Sequence, residues 1–252
     1  MSQRDISETT PESRVRAVLF DLDDTLFDRW KAQDLILEEI VREQSQLFHG
    51  LEFSTIRKAF AEADRIACEE YDAGIPVGDI RDRRSRLFLE LLGLPTTSAK
   101  TVTDLYLTRY PTLKAPVEGA LSLIPTLAEQ YDLGIITNGF RDVQHRKIET
   151  LGIACYFRCI VLPDDAGAQK PDPRIFRHAA SSLRVNPASC LYVGDLYLHD
   201  IVGAKRAGML ACWFNPRGEA RTDPDIMPDA EIKDLMSLGR VLKQLNPPPT
   251  RP

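Results

Sequence analysis

Residues 17–26, Ala17-Val18-Leu19-Phe20-Asp21-Leu22-Asp23-Asp24-Thr25-Leu26, decide the fold. The first four form an unbroken apolar run, the pattern of a strand buried on both faces of a parallel sheet. Three acids, Asp21, Asp23 and Asp24, follow within four positions. Like charges this close repel unless water solvates them or a cation neutralises them. Past the strand end a loop can turn Asp21 and Asp23 towards one point. An oxygen-rich pocket of that kind suits a hard cation such as Mg²⁺. A solvated acidic turn explains this stretch equally well, so the rest of the chain has to decide.

Outward from Leu26 the pattern changes to a helical one. Leu35, Leu37, Ile40 and Val41 recur at helix-like spacing, and further helices are expected over about 54–71, 79–92 and 98–110. Gly74-Ile75-Pro76, Gly93-Leu94-Pro95 and Tyr110-Pro111 break them. From Gly119 onward helices and strands alternate. A helix over 121–130 precedes a strand at 133–136, which ends in Thr137-Asn138-Gly139. A helix over 143–151 stops at Gly152, a strand covers 158–162, and Pro173 opens a helix over 173–183. The strand 190–193 ends in Gly194-Asp195, a helix runs from about Asp200 to Gly208, and a last strand covers 211–214.

This alternation implies an α/β fold, a doubly wound parallel sheet with helices on both faces and right-handed crossovers. The long helical stretch separates the first strand from its partners. The expected division is therefore a catalytic core of 14–27 and 115–246, an inserted all-helical cap of 28–114, and disordered tails at 1–13 and 247–252.

Composition narrows the function. The chain has 252 residues, 43% hydrophobic and 27% charged, with a net charge of −5. That balance gives no reason to expect nucleic acid, whose electrostatic footprint is basic. Residues 1–14 carry no apolar core of signal-peptide type and no run approaches membrane-spanning length, so neither a membrane nor export is expected. Five scattered cysteines, an odd number, read as buried or free thiols in a reducing cytoplasm. Cys155 and Cys159 lack the second ligand pair that tetrahedral zinc needs.

The chemistry gathers where the strands end. Asp21 and Asp23 follow the first strand, Thr137 and Asn138 the second, and Asp195, with Asp200 five residues on, the third clear one. Lys170 sits in the loop Gln169-Lys170-Pro171-Asp172-Pro173. Alone, a Thr-Asn pair is usually a turn and a loop lysine is usually solvated. On one edge of a parallel sheet, where ligands bind, the set becomes metal-binding acids, a nucleophile, phosphate donors and a cation. Phosphoryl transfer needs all four.

The order Asp-x-Asp-x-Thr, Thr-Asn, Lys, Gly-Asp-x-x-x-x-Asp resembles the haloacid dehalogenase superfamily of hydrolases, over residues 17–200. The second acid, Asp23, is similar to the phosphatase branch, since true dehalogenases lack a carboxylate there. A helical insert directly after the first motif resembles the C1-capped subgroup. Residues 137–149 and the stretch from Gly194 look like pyrimidine-nucleotidase and N-acylneuraminate-phosphatase members.

The resemblance implies a Rossmann-like core and a cytoplasmic, Mg²⁺-dependent phosphatase acting on a small phosphorylated metabolite, a sugar phosphate or nucleotide. It makes Asp21 the nucleophile that forms an aspartyl-phosphate, and Asp23 the general acid and base. Thr137, Asn138 and Gly139 bind phosphoryl oxygens, and Lys170 holds nucleophile and phosphate together. Asp21, the Asp23 backbone carbonyl, Asp195 and Asp200 hold the metal. Relatives often carry Ser or Thr, and Asn, where this chain has Leu196 and His199, so a hydroxyl near Lys170 is missing from its usual place. On the cap, Arg81, Arg83, Arg84 and Arg86 form a basic cluster, either a solvated face or a reach towards an anionic substrate. Two rival functions are a phosphomutase of the same superfamily and, from another class, a phospho-acceptor signalling module.

Overall fold

The computed structural model describes residues 15–73, 75 and 78–246. The expected tails at 1–13 and 247–252, and Gly74 and Pro76 of one expected helix break, lie outside the described residues. The elements begin with β1 (Ala17–Phe20), α1 (Arg29–Glu43), α2 (Phe53–Asp72), α3 (Ile80–Leu91) and α4 (Ala99–Arg109). They continue with α5 (Ala120–Ala128), β2 (Asp132–Ile136), α6 (Arg141–Leu151), β3 (Phe157–Val161), α7 (Pro163–Ala166) and α8 (Pro173–Leu183). β4 (Cys190–Gly194), a π-helical turn (Tyr197–Val202), α9 (Gly203–Ala207), β5 (Leu210–Phe214), β6 (Ala230–Ile232) and α10 (Leu238–Leu245) complete them.

Among the described residues six strands form one parallel sheet in the order β3-β2-β1-β4-β5-β6. β1 pairs with β2 on one side and β4 on the other, and all four of its residues are fully buried. The order of strands reverses at β1, and ligands of doubly wound sheets bind outside the carboxyl ends at such a reversal. Side chains alternate between faces. Ala17, Leu19, Cys190, Tyr192, Ala211 and Trp213 share one apolar cluster with Ile175, Phe176 and Ala179 of α8. Asp172 caps α8, accepting from the Arg174 N–H at 2.8 Å, with Pro173 in the first turn. β6 and α10 extend the fold beyond the elements read from sequence. Burial pushes the Cys190 and Cys212 thiols up to about 12, so they stay protonated and pack as small apolar groups.

The described residues divide into two compact units. One lies within Met1–Leu26, Val117–Gly139 and Ile153–Pro252, and the other comprises Phe27–Pro116 and Phe140–Gly152. α6 thus groups with the helical unit, although its sequence position lies inside the segment 115–246 assigned to the core. The cause is a set of polar ties within that unit. Arg81 pairs with Asp142 at 3.0 Å, Arg146 donates to the Leu107 and Thr108 carbonyls, and Thr150 donates to the Pro111 carbonyl.

The helical unit is built around stacked aromatics. Tyr106 stacks on Tyr110 at 4.6 Å and on Phe60 at 5.5 Å, while Phe88 meets Phe60 edge-on at 5.4 Å. Arg84 lies over Tyr106 at 4.1 Å and bonds Asp64 at 3.1 Å, and Asp64 also pairs with Arg29. Arg83 pairs with Glu70 at 2.8 Å. Three of the four clustered arginines therefore have acidic partners within their own unit. No helix among the described residues is long and apolar enough to cross a membrane.

Candidate active site

Asp21 leaves β1 still in register with the sheet, its N–H donating to the Val193 carbonyl at 2.9 Å. Its side chain is buried and sits beside the carboxyl end of β4. The chain then turns sharply, with the Leu26 N–H donating to the Leu22 carbonyl. Asp24 takes φ +58°, a left-handed conformation that aspartate tolerates better than most residues. Asp23 and Asp24 are half-buried in this turn.

Lys170 is buried, and its ammonium uses all three protons. It donates to Asp21 Oδ1 at 2.5 Å, Asp200 Oδ1 at 2.7 Å and the Tyr192 hydroxyl at 3.1 Å. Burial pulls the ammonium towards neutrality, but Asp200 and Asp21 outweigh it and hold it charged above its ordinary value. The loop bearing Lys170 is fixed by Asn138, whose side-chain amide donates to the Lys170 carbonyl at 3.0 Å and accepts from the Lys170 N–H at 2.9 Å. Asn138 thus spends its amide on positioning Lys170. Thr137 is buried at the end of β2, its N–H bonded to the Val161 carbonyl, and its Oγ1 accepts from the Gly139 N–H at 3.3 Å.

Asp195 and Asp200 come from the β4 end and the π-helical turn behind it. Asp200 is fully buried, and its Oδ2 accepts from the Leu196 N–H at 2.9 Å. A β-carbon on Gly194 would lie 2.5 Å from the Asp200 carboxyl carbon, so only glycine admits this approach. The Trp213 indole N–H holds the Asp195 carbonyl at 2.8 Å. Asp195 Oδ1 is buried with no hydrogen-bond partner among the described residues. Oxygens of Asp21, Asp195 and Asp200 lie within 4.8 Å of one another.

Three buried carboxylates face one buried ammonium, and the exposed Arg217 guanidinium reaches Asp195 Oδ2 only at 3.8 Å, so negative charge stays in excess. Burial pushes Asp195 up to about 9, with repulsion from Asp21, Asp200 and Asp24 adding to it. Burial likewise raises Asp21 to about 7, Lys170 opposing and Asp200 and Asp23 reinforcing the rise. An all-oxygen donor set with an orphaned buried oxygen fits a hard divalent cation, which would restore the ionised carboxylates. Asp23 contributes no carboxylate to this group of three.

The structure therefore brings Asp21, Lys170, Asp195 and Asp200 into one cluster, with Thr137, Asn138 and Gly139 at the next strand end. His199 is half-exposed on the π-helical turn. Leu196 is 49% exposed, and the hydroxyl in the cluster comes from Tyr192 on β4. Sequence reading missed Tyr192 and Trp213 because both sit in apolar strands. A tyrosine in a fully buried strand needs a partner for its hydroxyl, and that was the available signal.

The family model for haloacid dehalogenase-like hydrolases matches residues 15–208. A glyceraldehyde 3-phosphate phosphatase from Methanopyrus kandleri is 32% identical over 92% of this chain and 98% of its own. An N-acylneuraminate-9-phosphatase from Rattus norvegicus is 28% identical, covering 93% and 96%. Among solved structures, YfnB of Bacillus subtilis, described as bound to magnesium, superposes with a TM-score of 0.79 at 27% identity, covering 91% of this chain and 99% of that one.

Proposed function

The chain belongs to the haloacid dehalogenase-like hydrolase family, and we propose that it is a Mg²⁺-dependent phosphatase that cleaves small phosphomonoesters through a phosphorylated Asp21. The observation that carries this reading is the buried ammonium of Lys170, 2.5 Å from Asp21 and 2.7 Å from Asp200. A lysine so placed lowers the cost of bringing a phosphate dianion against a carboxylate nucleophile. Asp21, Asp195 and Asp200, with the Asp23 carbonyl, would hold Mg²⁺, which supplies positive charge that keeps these carboxylates ionised and screens the phosphate oxygens.

The protein's own groups then carry the reaction. An Asp21 oxygen attacks phosphorus, the new O–P bond forms, and the bond to the leaving oxygen breaks as Asp23 gives that oxygen a proton. Water attacks the phospho-aspartate in the second half, Asp23 takes its proton, and inorganic phosphate leaves with Asp21 restored. The Thr137 hydroxyl and the main chain of Asn138 and Gly139 bind phosphoryl oxygens, since the Asn138 amide is already engaged with Lys170. Asp23 favours phosphatase over dehalogenase chemistry, because displacing halide needs no proton donor at the leaving group. The helical unit is assigned to choice of substrate.

Relatives named as glyceraldehyde 3-phosphate phosphatase and N-acylneuraminate-9-phosphatase support a small phosphorylated metabolite as substrate, and we propose a sugar phosphate or nucleotide. A phosphomutase would pass the phosphoryl group to a sugar hydroxyl, and a signalling module would keep it. Phosphate release from a panel of sugar phosphates and nucleotides, with Mg²⁺ and with chelator, separates the three. The reading expects Mg²⁺-dependent turnover; isomerised product, or a stable phosphoprotein without turnover, would replace it.

A further inference from the structure

The mechanism above gives no work to Tyr192, whose hydroxyl lies at the centre of the cluster. We propose that this hydroxyl is a positioning group, the joint through which the ends of β2 and β4 hold Lys170 and Asp200 in the geometry that Asp21 requires. The inference rests on the phosphatase reading and deepens it.

Tyr192 Oη stands 3.1 Å from Lys170 Nζ, 3.2 Å from Asp200 Oδ1 and 3.1 Å from the Ile136 carbonyl oxygen. Ile136 is the residue before Thr137, so the contacts join the second strand end, the lysine loop and the fourth strand. The ring itself is fixed. It is fully buried and meets Phe176 edge-on at 5.0 Å and 78°. Had the hydroxyl needed only a partner, the Ile136 carbonyl alone would serve. Contacts to the Lys170 amine nitrogen and the Asp200 carboxyl exceed that need.

A phenol carries one proton and can accept as well. Lys170 donates to it, so its own proton has two acceptors, Asp200 and Ile136. Rotation about the C–O bond alone moves the proton between them, and no covalent bond changes. The joint can therefore keep Lys170 bonded while the charge on Asp21 changes during the cycle. Without it, one N–H of a buried cation loses its acceptor, a loss larger than for a neutral pair. Leu196 offers no hydroxyl in its place, so the assignment falls to Tyr192.

The test uses Tyr192→Phe, which keeps the ring and its contact with Phe176. In Mg²⁺ with a phosphomonoester, kcat should fall roughly 10- to 100-fold while KM moves less than about threefold. The second readout needs no activity: with ¹⁵N-labelled lysine in chelator, the Lys170 ammonium, assigned through Lys170→Met, should exchange slowly in the wild type. It should show a nuclear Overhauser contact to the Tyr192 ring, and its exchange should accelerate in Tyr192→Phe. Unchanged kcat with an unchanged Lys170 signal overturns the proposal, as does a loss confined to KM. If Tyr192→Phe does not fold, the wild-type spectrum decides, and absence of the ring contact overturns the joint. A wild type that releases no phosphate sinks the phosphatase reading, while the spectroscopic arm still judges the joint.

Discussion

Asp195→Asn should stabilise the protein in chelator and lose that advantage in Mg²⁺. Asp195 is 7% exposed, its Oδ1 has no hydrogen-bond partner among the described residues, and burial raises its carboxyl from 3.8 to about 9. A raised folded value means stability present below the unfolded value and lost as pH climbs through the folded one. Each pH unit across that window is ~1.4 kcal/mol, so by pH 7 the wild type carries a penalty on the order of 4 kcal/mol. The amide removes the charge but remains a buried polar group, returning about 1–2 kcal/mol of that gain. The net expectation is about 2–3 kcal/mol in favour of the variant at pH 7, or roughly 4–12 °C in melting temperature for a chain of this size. Thermal melts between pH 4 and 9 in chelator should show wild-type stability sloping downward, the variant flatter, and the two crossing at about pH 5, where the wild-type penalty equals the cost of the buried amide. Saturating Mg²⁺ at about 100 times Kd adds about 2.7 kcal/mol to the wild type alone and closes or reverses the gap. Parallel profiles, or a variant no more stable than wild type at pH 7 in chelator, would refute the electrostatic reading of this cluster.

Gly194→Ala puts a methyl 2.5 Å from the Asp200 carboxyl and should cost about 1–3 kcal/mol in denaturant unfolding, with a fall in Mg²⁺ affinity measured by calorimetry. Asn138→Ala breaks the two-point grip on the Lys170 main chain and should lower kcat/KM by roughly 10-fold or more, read by phosphate release, with melting temperature as control. Arg84→Met removes the guanidinium from Tyr106 and Phe60 and from Asp64, and should lower helical-unit stability by about 1–3 kcal/mol, read by hydrogen exchange in α3 and α4. Excision of 30–112 should aggregate or unfold, because α6 would lose Arg81 and the carbonyls that Arg146 uses; circular dichroism and size-exclusion chromatography test it.

The parts of the fold that were legible are those written in local periodicity. β1 announces itself by four apolar residues, and each strand end that matters carries its polar residue directly behind the run. Asp21, Asp195 and Thr137 could therefore be placed before any contact was known, whereas Lys170 sits in a loop nine residues past β3 and could be read only from the order of the motifs. β6 could not, since Ala230-Glu231-Ile232 is too short to show a period and exists through pairing with β5. α10 spans eight residues, below the length at which its apolar spacing separates from chance. The allegiance of α6 depends on Arg81 finding Asp142, 61 positions away, which no local pattern encodes. The same holds in the site. No local pattern shows that the Asn138 amide holds the Lys170 main chain, and Tyr192 reads as core until its hydroxyl is seen among the charges.

The central claim is that Asp21 carries the phosphoryl group while Asp23 moves the protons. A phosphomonoester labelled at phosphorus, acid-quenched within the first turnover and followed by peptide mass mapping, tests it directly. The account predicts label on Asp21 in the wild type and none in Asp21→Asn, which should also show essentially no turnover. Asp23→Asn should lose roughly 10²–10⁴ in turnover, yet with a leaving group that needs no proton it should accumulate the Asp21 phosphate and hydrolyse it slowly. Label on Asp23, or phosphate release surviving in Asp21→Asn, would contradict it.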